Sequence, residues 1–441
     1  MKSGIAVLLS VALAAAANSR AGAVQSRDDL ATARQAAQWI ESTAIANDKG
    51  VVWPSDPEDP KSVGTTLYAG TPGPILFLLE TYRYTGDERA LADAKKGADA
   101  LIDSIANTEG TGLYEGLAGT GFTLGEAYLV THDARYRDGA LRCIELLKTK
   151  SKTAGAGIEW ADGPDIIAGA AGTGLFLLWA DEKLKAPGAR ELAVAAGRRL
   201  VEIGESKEPG KTDWRMSPKY PDMPNFAHGT AGVAYFLATL YVNNHDKQFL
   251  DAAVAGANYL ISIADLQHGA CLIYHDDKRK NLYYLSWCHG PAGDARLFYQ
   301  LYRATHDAKW LDWVKRSATA MIASGAPDVV VKPGEWNNIS ACCGVTGQAQ
   351  FFLDAYEVTH DAQYLELARK ATARLLSSAT LDQSGARWVQ AETRVKPDLL
   401  QAQTGFMQGA SGVGMWLLHM GEFTAGVKKA ALTFPDNPFA Y

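Results

Sequence analysis

Apolar positions fall into two alternating kinds of run along this 441-residue chain. In the first, such as Val233-Ala-Tyr-Phe-Leu-Ala-Thr-Leu-Tyr241 or Gln350-Phe-Phe-Leu-Asp-Ala-Tyr356, residues are apolar nearly all round, which predicts a helix buried on every side. In the second, such as Tyr364-Leu-Glu-Leu-Ala-Arg-Lys-Ala-Thr-Ala-Arg-Leu-Leu376, apolar residues recur at steps of three and four between charges, which predicts an amphipathic outer helix. A Gly-x-x-Gly turn precedes each buried run. It occurs at Gly70, Gly116, Gly169, Gly229, Gly290, Gly344 and Gly409, with starts 46 to 65 residues apart. A second punctuation, Thr131-His-Asp133, Asn244-His-Asp246, Thr305-His-Asp307 and Thr359-His-Asp361, separates buried from amphipathic helix, and its Asp is placed to cap the next helix. His132, His245, His306 and His360 in these turns read as structural.

Seven such units in succession form a repeat architecture. The seventh buried run, Val413 to Met420, has no amphipathic partner after it, and the amphipathic stretch Asp28 to Ile45 has no buried partner before it. Packed together they complete seven inner and seven outer helices. The expected fold is therefore all-α, a closed α/α toroid of seven helix pairs, with residues 24–441 as its single domain. An open solenoid would instead need polar capping repeats at its ends. In a closed ring the residues just ahead of each Gly-x-x-Gly converge on one mouth, at the positive ends of the inner helices.

The first 23 residues carry Lys2, an apolar stretch from Ile5 to Ala17 and the small-residue sequence Ala21-Gly22-Ala23, the pattern of a secretory signal peptide. A membrane anchor is the other reading, but thirteen mostly apolar residues fall short of the ~20 needed to span a bilayer. Export to the periplasm or outside the cell is expected. The formal charge is −6, and −8 without the leader, which gives no footing for nucleic acid or anionic lipid. Five cysteines, an odd number, do not form a disulfide scaffold. Cys143 reads as a core residue, and Cys271-Leu-Ile-Tyr-His275 with Leu282-Tyr-Tyr-Leu285 as a small rim hairpin without a role.

The convergent positions differ among repeats: Tyr68-Ala69, Tyr114-Glu115, Asp165 ahead of Gly169, Ala227-His228, Trp287-Cys288-His289, Cys342-Cys343 and Met407-Gln408. Cys288, Cys342 and Cys343 lie in adjacent repeats and would meet side by side in a ring, offering three sulfur ligands to Zn2+ with a fourth position open, the pattern of a catalytic site. The same residues also read as small core residues or a vicinal disulfide. His289 stands in reserve as a ligand.

Trp287-Cys288-His289-Gly290-x-x-Gly293, followed by Cys342-Cys343-Gly344-x-x-Gly347 and preceded by Ala227-His228-Gly229-x-x-Gly232, resembles the lanthionine synthetase C-like family, zinc-dependent cyclases that add peptide cysteine thiols to dehydrated Ser or Thr. The family is itself a seven-fold toroid, so the resemblance spans the whole mature chain. It implies Cys288 and Cys342 as zinc ligands, and Cys343 as the third where most members have His, a variant found among bifunctional lanthipeptide synthetases. It further implies His228 as the acid/base and Asp165 as its helper. Tyr284 stands where the family's cyclases have Arg. The implied partner is a peptide or small thiol. No dehydratase-like segment is present, so the dehydrated residue would be made elsewhere.

Two other functions remain open on the sequence. Trp53, Trp160, Trp214, Trp287, Trp336 and Trp388 lead into inner helices and could stack on sugar rings, with Glu115, Glu159, Asp162 or Asp165 supplying a carboxylate pair; this describes an exported carbohydrate-active toroid. A non-catalytic platform for peptides or zinc is the third.

Overall fold

The computed structural model describes residues 28–217, 219–328, 334–427 and 432–439; the leader read at 1–23 lies outside them. The described helices, in chain order, are α1 (28–42), α2 (Pro72–Thr85), α3 (Glu88–Ser104), α4 (Leu117–Thr131), α5 (Ala134–Lys150), α6 (Ala170–Leu184), α7 (Ala189–Ile203), α8 (Thr230–Asn244), α9 (Lys247–Ile263), α10 (Pro291–Thr305), α11 (Lys309–Ala323), α12 (Val345–Thr359), α13 (Ala362–Ser378) and α14 (Ala410–Ala425). Even-numbered helices are the inner ones, odd-numbered the outer. In α8 every residue from Thr230 to Ala238 is buried, whereas α13 buries only the stripe Tyr364, Ala368, Ala371, Thr372 and Leu375. Among the described residues no helix is long and apolar enough to cross a membrane.

Asp133, Asp246 and Asp361 are the N-caps that their positions predict, whereas the residue before α11 is Ala308 and Asp307 stands one place further back. Asp133, Asp246, Asp307 and Asp361 accept from the backbone N–H of Arg135, Gln248, Lys309 and Gln363 at 3.0 to 3.2 Å. The histidines before them end the inner helices. His132, His245, His306 and His360 are left-handed, with φ of 57° to 58°, and each donates its N–H to a tyrosine carbonyl four residues back. Each ring also sits edge-on to that tyrosine. Gly or Asn usually takes this position.

Closure rests on a belt of backbone hydrogen bonds. The N–H of Tyr68 donates to Tyr114, Tyr114 to Ile167, Ile166 to Ala227, Ala227 to Cys288, Cys288 to Cys342, Cys342 to Met407, and Met407 back to Tyr68, all at 2.9 to 3.2 Å. Except for a one-residue slip at Ile166–Ile167, every member stands two residues ahead of its Gly-x-x-Gly. The second glycine of each turn gives the belt room: a Cβ on Gly293 would collide with the carbonyl oxygen of Trp287, and one on Gly232 with that of Phe226.

On the outer ring α1 fills the last place. Gln38 donates to the carbonyl of Gln383 at 2.9 Å, and Gly385 abuts the backbone of Gln35 and Trp39, so the hairpin that follows α13 rests on α1. The helix stops at residue 42, because Ser42 and Thr43 turn their hydroxyls onto the carbonyls of Trp39 and Ile40, and Ile45 opens a hairpin rather than ending the helix. Trp53 Nε1 then donates to Ile40, Trp160 to Leu147, Trp214 to Leu200 and Trp388 to Leu375, at 2.7 to 2.8 Å. These four indoles are buried clasps holding the end of an outer helix.

Residues 271–285 depart from the expected hairpin. His275 N–H reaches Leu282 at 2.7 Å, but Tyr283-Tyr284 pairs in parallel with Glu335-Trp336 of the next repeat. Cys143 lies buried in α5, as expected, and Cys271 is buried as well.

The C-terminal segment 432–439 turns back into the bore. Phe434 stacks on Phe406 at 4.4 Å and Phe439 on Tyr299 at 4.5 Å. Asp436, fully buried, accepts from Arg296 Nη1 at 2.8 Å and from Trp287 Nε1 at 2.9 Å. Removing one partner of such a pair strands a buried charge. Asp436→Ala is therefore expected to lower stability by about 3–5 kcal/mol, read from its urea midpoint; a change under about 1 kcal/mol would mean that the segment is not docked this way.

Candidate metal centre

The belt turns a sequence register into a site. Residues two ahead of each Gly-x-x-Gly are fixed by it, and those one ahead project at the mouth, so Glu115, His228, His289, Cys343 and Gln408 line one pocket together with Tyr68, Cys288 and Cys342. His275, Tyr284, Trp336, Glu392 and Thr393 complete its wall, and it encloses about 740 Å³ of space, part of it open to solvent.

The three cysteines from adjacent repeats meet there. Cys288 and Cys343 Sγ are 3.2 Å apart, Cys343 and Cys342 Sγ 3.4 Å, and all three lie within 4.8 Å of one another and are buried. None is disulfide-bonded, which removes the vicinal-disulfide reading for this structure. Tetrahedral zinc with Zn–S near 2.3 Å sets sulfurs about 3.8 Å apart, so this cluster fits with small adjustments. His289 is not part of it.

Two residues to which the sequence assigned no role support the sulfurs. Tyr68 donates its hydroxyl to Cys342 Sγ at 3.3 Å and accepts from Gln408 Nε2 at 2.8 Å, while Gln408 Nε2 also lies 3.9 Å from Cys343 Sγ. Donors aimed at sulfur are what thiolate ligands need around them. Burial works against a Cys342 thiolate, but hydrogen bonds from Cys288, Cys343 and Tyr68 outweigh it and hold its pKa well below a free thiol's. The shared register with the cysteines was the available signal for both residues.

Asp165 and His228 form the second component. Asp165, fully buried, accepts from the N–H groups of Ala168 at 2.9 Å and Gly169 at 2.8 Å through Oδ1, and its Oδ2 lies 2.7 Å from His228 Nδ1. Burial opposes a charged His228, yet the hydrogen bond and charge of Asp165 raise its pKa above the ordinary histidine value. Glu115 is raised too, first by burial, with His228 opposing.

Of the other carboxylates considered, Glu159 is paired with Arg199 at 2.8 Å and Asp162 accepts from Thr111 at 2.8 Å, so neither faces Glu115 in the pocket. Of the six tryptophans, four are helix clasps and Trp287 is held by Asp436, which leaves Trp336 on the pocket wall.

Comparison with known proteins agrees with this geometry. The family model described as "Lanthionine synthetase C-like protein" matches residues 61–423. Among solved structures, one titled "Nisin cyclase" is similar at a TM-score of 0.61 and 17% identity, covering 89% of this chain and 93% of that one. An unsaturated glucuronyl hydrolase specific for heparin is similar at 0.51 and 14% identity, covering 91% and 98%. At such identities these two likenesses concern the fold. The family match spans most of the chain, and this protein belongs to the lanthionine synthetase C-like family.

Proposed function

We propose that this protein is a zinc-dependent enzyme that adds a thiol to a dehydrated residue of a peptide, forming a thioether, and that it works outside the cytoplasm. The observation that carries the reading is the buried three-sulfur cluster sharing one pocket with the Asp165–His228 pair. A cyclase-like function is what the family and the likeness to nisin cyclase support. Cys288, Cys342 and Cys343 would hold the metal, which when bound supplies acidification of an incoming thiol.

The remaining steps belong to side chains. Attack by sulfur on the β-carbon forms the S–C bond and moves the alkene electrons toward the carbonyl, and the α-carbon then needs a proton. His228, with Nδ1 on Asp165, presents Nε2 to the pocket, and the hydrogen bond and charge of Asp165 raise its pKa above the ordinary histidine value, which favours the charged form that can deliver one. Tyr68 and Gln408 keep Cys342 and Cys343 in place through the hydrogen bonds described above.

Purification under reducing conditions is expected to give about one zinc per chain. Incubation with a dehydroalanine peptide and a thiol is expected to give a product whose mass is the sum of the two, absent after chelation. A chain with neither zinc nor addition would overturn the proposal.

A further inference from the structure

We infer that His275, held by Asp276, is the base that takes the proton from the incoming thiol, leaving His228 to return one to carbon. This rests on the thiol-addition reading above.

The pocket carries a second histidine–carboxylate pair. His275 Nδ1 lies 2.7 Å from Asp276 Oδ2, and that oxygen also accepts from Arg279 Nε at 2.7 Å. Asp276 is fully buried and its Oδ1 takes the backbone N–H of Lys278 at 3.0 Å, so the carboxylate is fixed on both oxygens. With Nδ1 committed, Nε2 is the nitrogen left for a ligand, and the ring lines the same pocket as the sulfurs. Tyr284 packs on one side of it, with centroids 4.5 Å apart, and His289 on another at 4.3 Å. His289 lies 5.5 Å from His228, so it stands between the two pairs, and its own buried Nδ1 has no partner among the described residues.

The two pairs have different surroundings. Asp165 faces His228 alone among nearby charged partners at hydrogen-bond distance, with Glu115 also close, and this favours the imidazolium. Asp276 shares its charge with Arg279. The groups facing His275 are Asp276 and Arg279 on its own turn, Tyr284 after it, and His289 and His228 across the pocket. Burial wins there over Asp276, and His275 is lowered below the ordinary histidine value. The lowered pKa favours the neutral ring that accepts a proton at His275 and the raised one the charged ring that gives a proton at His228, which divides the labour between the two pairs. The balance closes without a co-reactant. The S–H proton goes to His275 Nε2, the S–C bond forms as the C=C bond opens, His228 protonates the α-carbon, and water at the open mouth exchanges one proton to reset the pair.

The zinc-loaded protein titrated with N-acetylcysteamine, by calorimetry in two buffers of different ionisation heat, reports proton release at pH 7. The thiolate formed beside His275 is an opposite charge that favours keeping the proton on the ring, so wild type is expected to release almost none, and His275→Asn or His275→Gln, each with unchanged zinc content, about one per thiol bound. In the addition reaction these variants are expected to lose roughly 100-fold with this thiol and to recover to within a few-fold with a thiophenol already ionised at that pH. His228→Ala should lose activity with both. Equal proton release from wild type and variant, or equal loss with both thiols, overturns the inference while leaving the thiol-addition reading standing. No binding or addition by wild type removes both.

Discussion

Cys342→Ser is expected to strip the chain of zinc while leaving the ring folded. Zinc sites that act on substrates use three protein ligands and keep one position open, so a site reduced to Cys288 and Cys343 has lost a third of its protein donors. Cys342 is the one that accepts hydrogen bonds from both Tyr68 and Cys343. Ser is nearly isosteric, and the contribution of residue 342 to the belt is made by its backbone, which accepts from Cys288 and donates to Met407. The fold itself does not hang on the metal, since the ring buries a continuous apolar core from α1 to the C-terminal segment. Metal analysis under reducing conditions should therefore fall from about one zinc per chain to near zero, with a cooperative thermal transition retained. Zinc at wild-type occupancy in the variant would place the ligands elsewhere. Thiol addition should vanish with the metal, whereas His228→Ala should keep its zinc.

What could be read from sequence follows from which interactions leave a mark on residue types. The buried and amphipathic runs, the seven glycine turns and the Asp caps are local, and they appear in the structure where their patterns placed them, except that α1 stops three residues short of Ile45 and Ala308 rather than Asp307 precedes α11. The cysteines were legible because sulfur is rare and falls at one register. The belt was not, because backbone groups form it and its members are as different as Tyr, Ile, Ala, Cys and Met. The left-handed histidines carried no glycine to announce them. The tryptophans drew attention as aromatics, but the bond that occupies four of them runs to a carbonyl 13 or 14 residues back, on the preceding helix. His275 escaped for a related reason. It sits in an irregular insert between repeats, outside the register, and only the packing of Tyr284 and His289 brings it to the pocket. Tyr284, at the position of the family's Arg, thus forms one wall of a histidine site. The tail at 432–439 is too short and irregular for any periodicity, and its place is set by Arg296, Trp287 and the bore.

Asp165→Asn is expected to lower thiol addition by roughly 10²- to 10⁴-fold, the usual worth of a positioned acid, with zinc content unchanged. The native carboxylate is anchored by two backbone N–H groups at the start of α6 and turns its other oxygen to His228 Nδ1. An Asn that keeps its carbonyl on those N–H groups must present its NH₂ to the imidazole. Nδ1 then has to accept rather than donate, and the imidazolium, which carries a proton on both nitrogens, is disfavoured. The sign of the pH effect follows. His228 is raised above the ordinary histidine value in the native protein because Asp165 outweighs burial, and a general acid works below its pKa and fails as pH rises through it. Without the carboxylate, burial dominates, so the alkaline limb of kcat/KM moves to lower pH and residual activity grows on acidification. Glu115, raised first by burial with His228 opposing, stays near His228 in the variant but does not restore the hydrogen bond at Nδ1. A variant whose profile overlays the wild type would remove Asp165 from the proton transfer and leave it as a brace for the Gly169 turn.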